Sequence, residues 1–202
     1  MKNKIMKNRI LFLALLAALL LPSAALAGAP TDQLRKSVDA VLDVLKDKEL
    51  KKPENTAERR AKIRSIVKGR FDFEEMAKRS LARHWRKRTP EEKKEFVPLY
   101  TDLLERTYID KIEQYEDEEI VYVDESSEGK HATVRTKVIT SKHVEIPIFY
   151  RLHSKSGDWQ VYDVVIEGVS LVKNYRTQFN SIIRSGSYQE LVQRLRDKLE
   201  EH

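Results

Sequence analysis

Asp163 is the carboxylate in this chain best placed to do chemistry. It lies between Tyr162 and Val164 in an apolar, β-branched run. Burial there would raise its pKa and suit it to act as a general base. The same position suits a carboxylate paired with a neighbouring Arg or hydrogen-bonded to a helix end. The histidines are His84, His131, His143, His153 and His202. No two have ligand spacing on one helix, and there is no Cys to join them, so no metal site is expected. A G-x-S-x-G elbow and a Gly-rich phosphate loop are both missing. No catalytic residue and no cofactor are expected.

A basic cluster is the other candidate for chemistry. Lys78, Arg79, Arg83, Arg86, Lys87 and Arg88 surround His84 and Trp85. Such a cluster reads as a solvated face, or as a surface for anionic lipid headgroups or an acidic partner. Nucleic acid is not expected, because the chain carries an export signal. Lys2, Lys4, Lys7 and Arg9 precede twelve apolar residues, Ile10 to Leu21, then Pro22 and Ala25-Leu26-Ala27. That is the pattern of a cleavable signal peptide, 1–27. The run is too short for the roughly 20 residues of a membrane span. Without the four leader cations, the formal charge of +6 falls to 34 basic against 32 acidic residues. The mature domain, 28–202, is expected to be a soluble, monomeric protein of the periplasm. With no Cys it has neither a disulfide nor a lipid-modified Cys.

The positioning elements follow from hydrophobic period. A first helix is expected over 31–49, with Leu34, Val38, Val41, Leu42 and Leu45 inward. A second covers 54–68 and a third begins near Asp72. Thr89-Pro90-Glu91-Glu92 combines an N-cap, a first-turn Pro and a capping box, and opens a long helix reaching Tyr115. Pro98 within it predicts a kink. The period then changes to two. Four strands are expected, at 119–124, 131–140, 143–153 and 159–167, joined by hairpins. Val144, Ile146, Ile148, Tyr150 and Leu152 would share one face, and Pro147 suggests an edge or a bulge. After Gly168 the chain turns into a helix capped by Ser170, and a second capping box at Ser187 and Glu190 opens the last helix. The fold class is α+β: helices packed on a curved four-stranded antiparallel sheet. The apolar stripes fit a packed core or a lined cavity, and period alone leaves both open.

The run W-x-V-Y-D-V-x-I-E-G-V-S-L-V-x-N-Y-R-x-Q-F, Trp159 to Phe179, resembles the MlaC family, also called the toluene-tolerance auxiliary family. R-H-W-R-K at Arg83 to Lys87, T-P-E-E, and L-L-E-R-T-Y at Leu103 to Tyr108 add to the likeness, which spans the mature chain. Pro98 departs from the family's pattern. The resemblance implies a nuclear-transport-factor-like cone with an apolar cavity, and a periplasmic phospholipid carrier. Such a carrier works between an outer-membrane lipoprotein complex and an inner-membrane ABC transporter with an MCE-domain component, maintaining outer-membrane lipid asymmetry. By this analogy the bound cargo is phospholipid. Its lining would be Leu104, Tyr108, Val138, Ile148, Tyr150, Val164, Ile166, Val169, Val172 and Tyr175. Arg83, Arg86, Lys87 and Arg88 would contact a partner or the headgroup. Alternatives are a carrier of hopanoid or another polycyclic lipid, a small cone-fold enzyme using Asp163, and an adaptor with a filled core.

Overall fold

A computed structural model describes residues 29–200. The expected leader at 1–27 lies outside the described residues. Six α-helices pack with a five-stranded open antiparallel sheet, β1 to β5 in spatial order. Helices α1 (Ala29–Lys46), α2 (Thr56–Arg70), α3 (Phe73–Leu81) and α4 (Pro90–Glu113) come first. A 3-10 turn, Ala82–Lys87, joins α3 to α4. Strands β1 (Glu119–Glu128), β2 (His131–Ile139), β3 (Glu145–Lys155), β4 (Asp158–Ile166) and β5 (Val169–Ser170) follow, then α5 (Leu171–Ser185) and α6 (Tyr188–Glu200).

The local signals act as expected where they are strongest. Thr89 Oγ1 accepts from Glu92 N at 3.2 Å, and Glu92 Oε2 accepts from Thr89 N at 2.8 Å, closing the capping box. Helix α4 then runs as one helix through Pro98, which is exposed.

The sheet corrects the four-stranded expectation. After β4 the chain turns through Glu167 (φ 49°) and Gly168 (φ 82°), and Val169–Ser170 pairs back as β5. Two successive positive φ values are what a tight type I′ hairpin requires. Composition suggests only the glycine. β3 begins at Glu145 rather than 143, because His143 is left-handed (φ 57°) within a closed turn from Thr140 to Val144. Val144 is therefore 54% exposed and leaves the face assigned to it. β1 extends to Glu128, past a register shift between Tyr122 and Asp124. Pro147 lies on an interior strand, but its carbonyl accepts from Glu167 N at 3.0 Å, so its missing N–H falls where β4 has ended.

Three apolar clusters hold the elements. Phe96, Tyr100, Val172, Tyr175, Phe179 and Leu191 knit α4, α5 and α6. Leu34 of α1 packs with Val134, Leu152, Val161 and Val164 of the sheet and with Leu171 of α5. Leu45, Ile63 and Ile109 tie α1, α2 and α4. Phe71 bridges to Val161, so the chain enters α3 at the β4 edge of the sheet.

Candidate functional site

One face of the sheet is apolar along its length but sealed at only one end. At the sealed end Leu152, Val134 and Val161 are 0% exposed, with Leu34 of α1 packed on them. Cross-strand register continues this face through Thr136–Ile148–Ile166 and Val138–Ile146. There Val138, Ile146, Ile148, Tyr150 and Ile166 are only half-buried. Tyr108 and Tyr122 pack beside them. Leaving large apolar side chains part-open forgoes roughly 25 cal/mol per Å² of burial, so this end of the face favours an apolar occupant. Burial pushes the Tyr150 phenol up to about 12 and raises Tyr122 and Tyr108 as well, keeping these hydroxyls neutral. Tyr122 Oη is buried without a hydrogen-bond partner among the described residues, and the Arg35 guanidinium sits 4.1 Å over its ring.

A second apolar feature adjoins the first through Tyr108. A cleft of about 110 Å³ lies between α2 and α4, lined by Ile63, Val67, Leu104, Tyr108, Ile109 and Ile112. Ion pairs bridge these two helices. Glu113 Oε1 accepts from Arg59 Nε at 2.8 Å, and Glu113 Oε2 from Arg60 Nη2 at 2.7 Å. Arg64 pairs with Glu105 nearer the middle. Burial raises the Glu113 pKa, but the hydrogen bonds and charges of Arg60 and Arg59 outweigh it and hold the carboxyl below its ordinary range.

The ten apolar residues expected to line one cavity fall into different places. Tyr108, Val138, Ile148, Tyr150, Val164 and Ile166 gather on the sheet face just described. Leu104 lines the α2–α4 cleft. Val172 and Tyr175 point instead into the helical core, where Tyr175 meets the Tyr100 ring edge-on at 5.5 Å. Leu171 is the α5 residue that packs on the sheet. Val169 is 56% exposed in β5. Period identifies apolar positions, but this chain has two apolar layers and period does not say which one a residue joins. Ile146 and Tyr122 were missed as neighbours of the open end; Ile146 could have been found from its alternation with Ile148 and Tyr150.

The members of the basic cluster differ in their surroundings. Arg83 Nη2 donates to Asn180 Oδ1 at 2.7 Å. Arg88 pairs with Glu92 at 2.9 Å and lies 4.3 Å over the Tyr188 ring. Arg86 and Lys87 are exposed.

Asp163 is held as a structural carboxylate. Its Oδ1 accepts from Val172 N at 3.1 Å, while Oδ2 accepts from Ser170 Oγ at 2.7 Å and Arg151 Nη1 at 3.0 Å. Its register partner is Arg151, whereas the adjacent pair Tyr150–Val164 lies on the apolar face. Asp163 thus faces away from the half-open apolar face of the sheet (the apolar slot), which removes the one candidate base for an enzyme there.

Several known proteins are similar to this chain. The toluene tolerance protein ttg2D of Pseudomonas putida is 30% identical over 105 residues, spanning 50% of this chain and 48% of that protein. The intermembrane phospholipid transport system binding protein MlaC of Haemophilus influenzae is 21% identical over 191 residues, 92% of this chain and 89% of that one. A phospholipid-binding protein from Ralstonia solanacearum, solved in complex with a phospholipid, superposes with a TM-score of 0.77 at 24% identity. The match covers 85% of this chain and 97% of that one, and shows a common fold. Residues 35–197 match the profile described as MlaC protein, and the chain belongs to the MlaC family.

Proposed function

We propose that this protein is a periplasmic phospholipid carrier working between the outer membrane and an inner-membrane ABC transporter. The observation that carries the reading is the half-sealed sheet face, where Val138, Ile146, Ile148, Tyr150 and Ile166 stay part-open beside Tyr108. The names of its relatives support the same reading. Each acyl CH₂ is worth roughly 0.8 kcal/mol against water, so a carrier must offer an apolar surface throughout transfer. It needs no reacting group, and Asp163 is engaged elsewhere. Drug-sized ligand pockets run to roughly 300–1,000 Å³, so the cleft of about 110 Å³ must widen to admit two tails. The widening is proposed to occur where α2 and the C-terminal half of α4 meet the sheet. Among the described residues no helix is long and apolar enough to cross a membrane.

The test is native mass spectrometry of the purified protein, followed by lipid extraction. A co-purifying glycerophospholipid is expected, together with uptake of lipid from vesicles. A protein that is empty and also takes up nothing would sink the proposal; a polycyclic lipid would redirect it to a different cargo.

A further inference from the structure

We infer that a second, polar site on the opposite side of the sheet binds a phosphate group. Arg79 of α3, Arg151 of β3, and Lys173 and Arg176 of α5 converge on a recess of about 260 Å³. Its floor includes Tyr162 and Asp163. Arg151 and Asp163 lie in register on the face turned away from Tyr150 and Val164. The recess is therefore separate from the apolar slot, and its role does not depend on what fills that slot.

The recess is positively charged, with few counter-charges of its own. Its one lining carboxylate, Asp163, is 2% exposed and already accepts from Val172 N, Ser170 Oγ and Arg151. Lys173 is exposed and makes no ion pair among the described residues. Arg176, which also lines the recess, is held through Nε, which donates to the Arg79 carbonyl at 2.8 Å. Arg79 is fixed from two sides. Its Nε donates to Glu75 at 2.8 Å, and its guanidinium stacks 4.1 Å over Tyr162. Two guanidinium groups held by their Nε atoms, beside a free ammonium, make a fork suited to a tetrahedral oxyanion. The concave shape and small volume fit a phosphate ester better than an extended acidic peptide. The phosphate could belong to a soluble ester or to a lipid headgroup at a membrane surface.

Titration of the mature protein with inorganic phosphate and with glycerophosphate, followed by NMR, tests the site. Saturable shifts at Lys173 and Arg176 are expected. Loss of two charged donors in a Lys173→Ala/Arg176→Ala variant should weaken binding by about tenfold or more. A Lys36→Ala/Lys142→Ala variant, which removes equal charge elsewhere, should not. Flotation with phosphatidylglycerol vesicles separates the two sources. Vesicle binding competed by glycerophosphate identifies the headgroup, and soluble binding without flotation identifies the free ester. No saturable binding in any arm overturns the inference. So does binding lowered equally by both double variants, because a diffuse field would then explain it. Lipid extraction of each variant should show unchanged slot occupancy, which separates this test from the carrier reading.

Discussion

Asp163 and Arg151 face each other across β4 and β3, and the same carboxylate that pairs with Arg151 Nη1 at 3.0 Å also holds the first turn of α5. One residue thus fixes the sheet to the helix that leaves it. Asp163→Ala would leave Val172 N and the Ser170 hydroxyl without their acceptor. A buried donor left unpaired costs about 1–3 kcal/mol. Urea unfolding should show a loss of that size, while lipid uptake per folded molecule stays near normal. Unchanged stability would mean that the carboxylate does not anchor α5.

Filling the open end of the apolar face should block cargo without unfolding the protein. Ile148 is half-buried there, so Ile148→Trp adds bulk where space remains. Reduced lipid in the extracted protein is expected, with a stability change of no more than about 1–3 kcal/mol. Leu152 at the sealed end is fully buried, and Leu152→Trp should instead unfold the domain.

The ion pairs between α2 and α4 should control how readily the cleft opens. Glu113→Gln removes the charge that holds Arg59 and Arg60. Faster lipid exchange with vesicles is expected, measured by transfer of a fluorescent phospholipid. Exchange at the wild-type rate would show that the α2–α4 seam does not limit entry.

Asp72 should make the domain acid-sensitive. It caps α3 through Glu75 N at 3.0 Å and meets His153 Nε2 at 2.9 Å. Burial raises its pKa, but the Lys155 and Glu75 hydrogen bonds and the charges of Lys155 and His153 outweigh it and hold the value below 3.8. A depressed carboxylate contributes stability that is complete above its unfolded value and is lost as pH falls through the folded one. Urea midpoints should therefore drop as pH falls below about 4, and Asp72→Asn should flatten that drop. A variant with the wild-type acid slope would assign the effect to other carboxylates.

Much of the architecture is written locally. The capping box at Thr89, the Ser170 cap and the alternation in β2 and β3 each state an element on their own. What was not legible depends on pairing across distance. Val172 and Tyr175 look like sheet-facing residues until β5 turns Leu171 inward and leaves them to the helical core. Asp163 could be read as a base or as an anchor until Arg151 and Val172 N are seen beside it. The charged recess draws on α3, β3 and α5, which adjoin only in the fold, so the sequence shows its cations as unrelated.

Helix α4 contributes residues to all three apolar clusters. Phe96, Tyr100 and Leu103 lie in the helical core, Tyr108 against the sheet, and Ile109 with α1 and α2. Its 24 residues rise about 1.5 Å each, so it works as a cantilever with an aromatic root and a tip latched to α2 by the Glu113 ion pairs. Cargo that displaces the tip would load the root without breaking its ring contacts. Amide exchange should accordingly be slow through Tyr100 and Leu104 and quicken from Tyr108 to Glu113, a gradient that lipid filling would level.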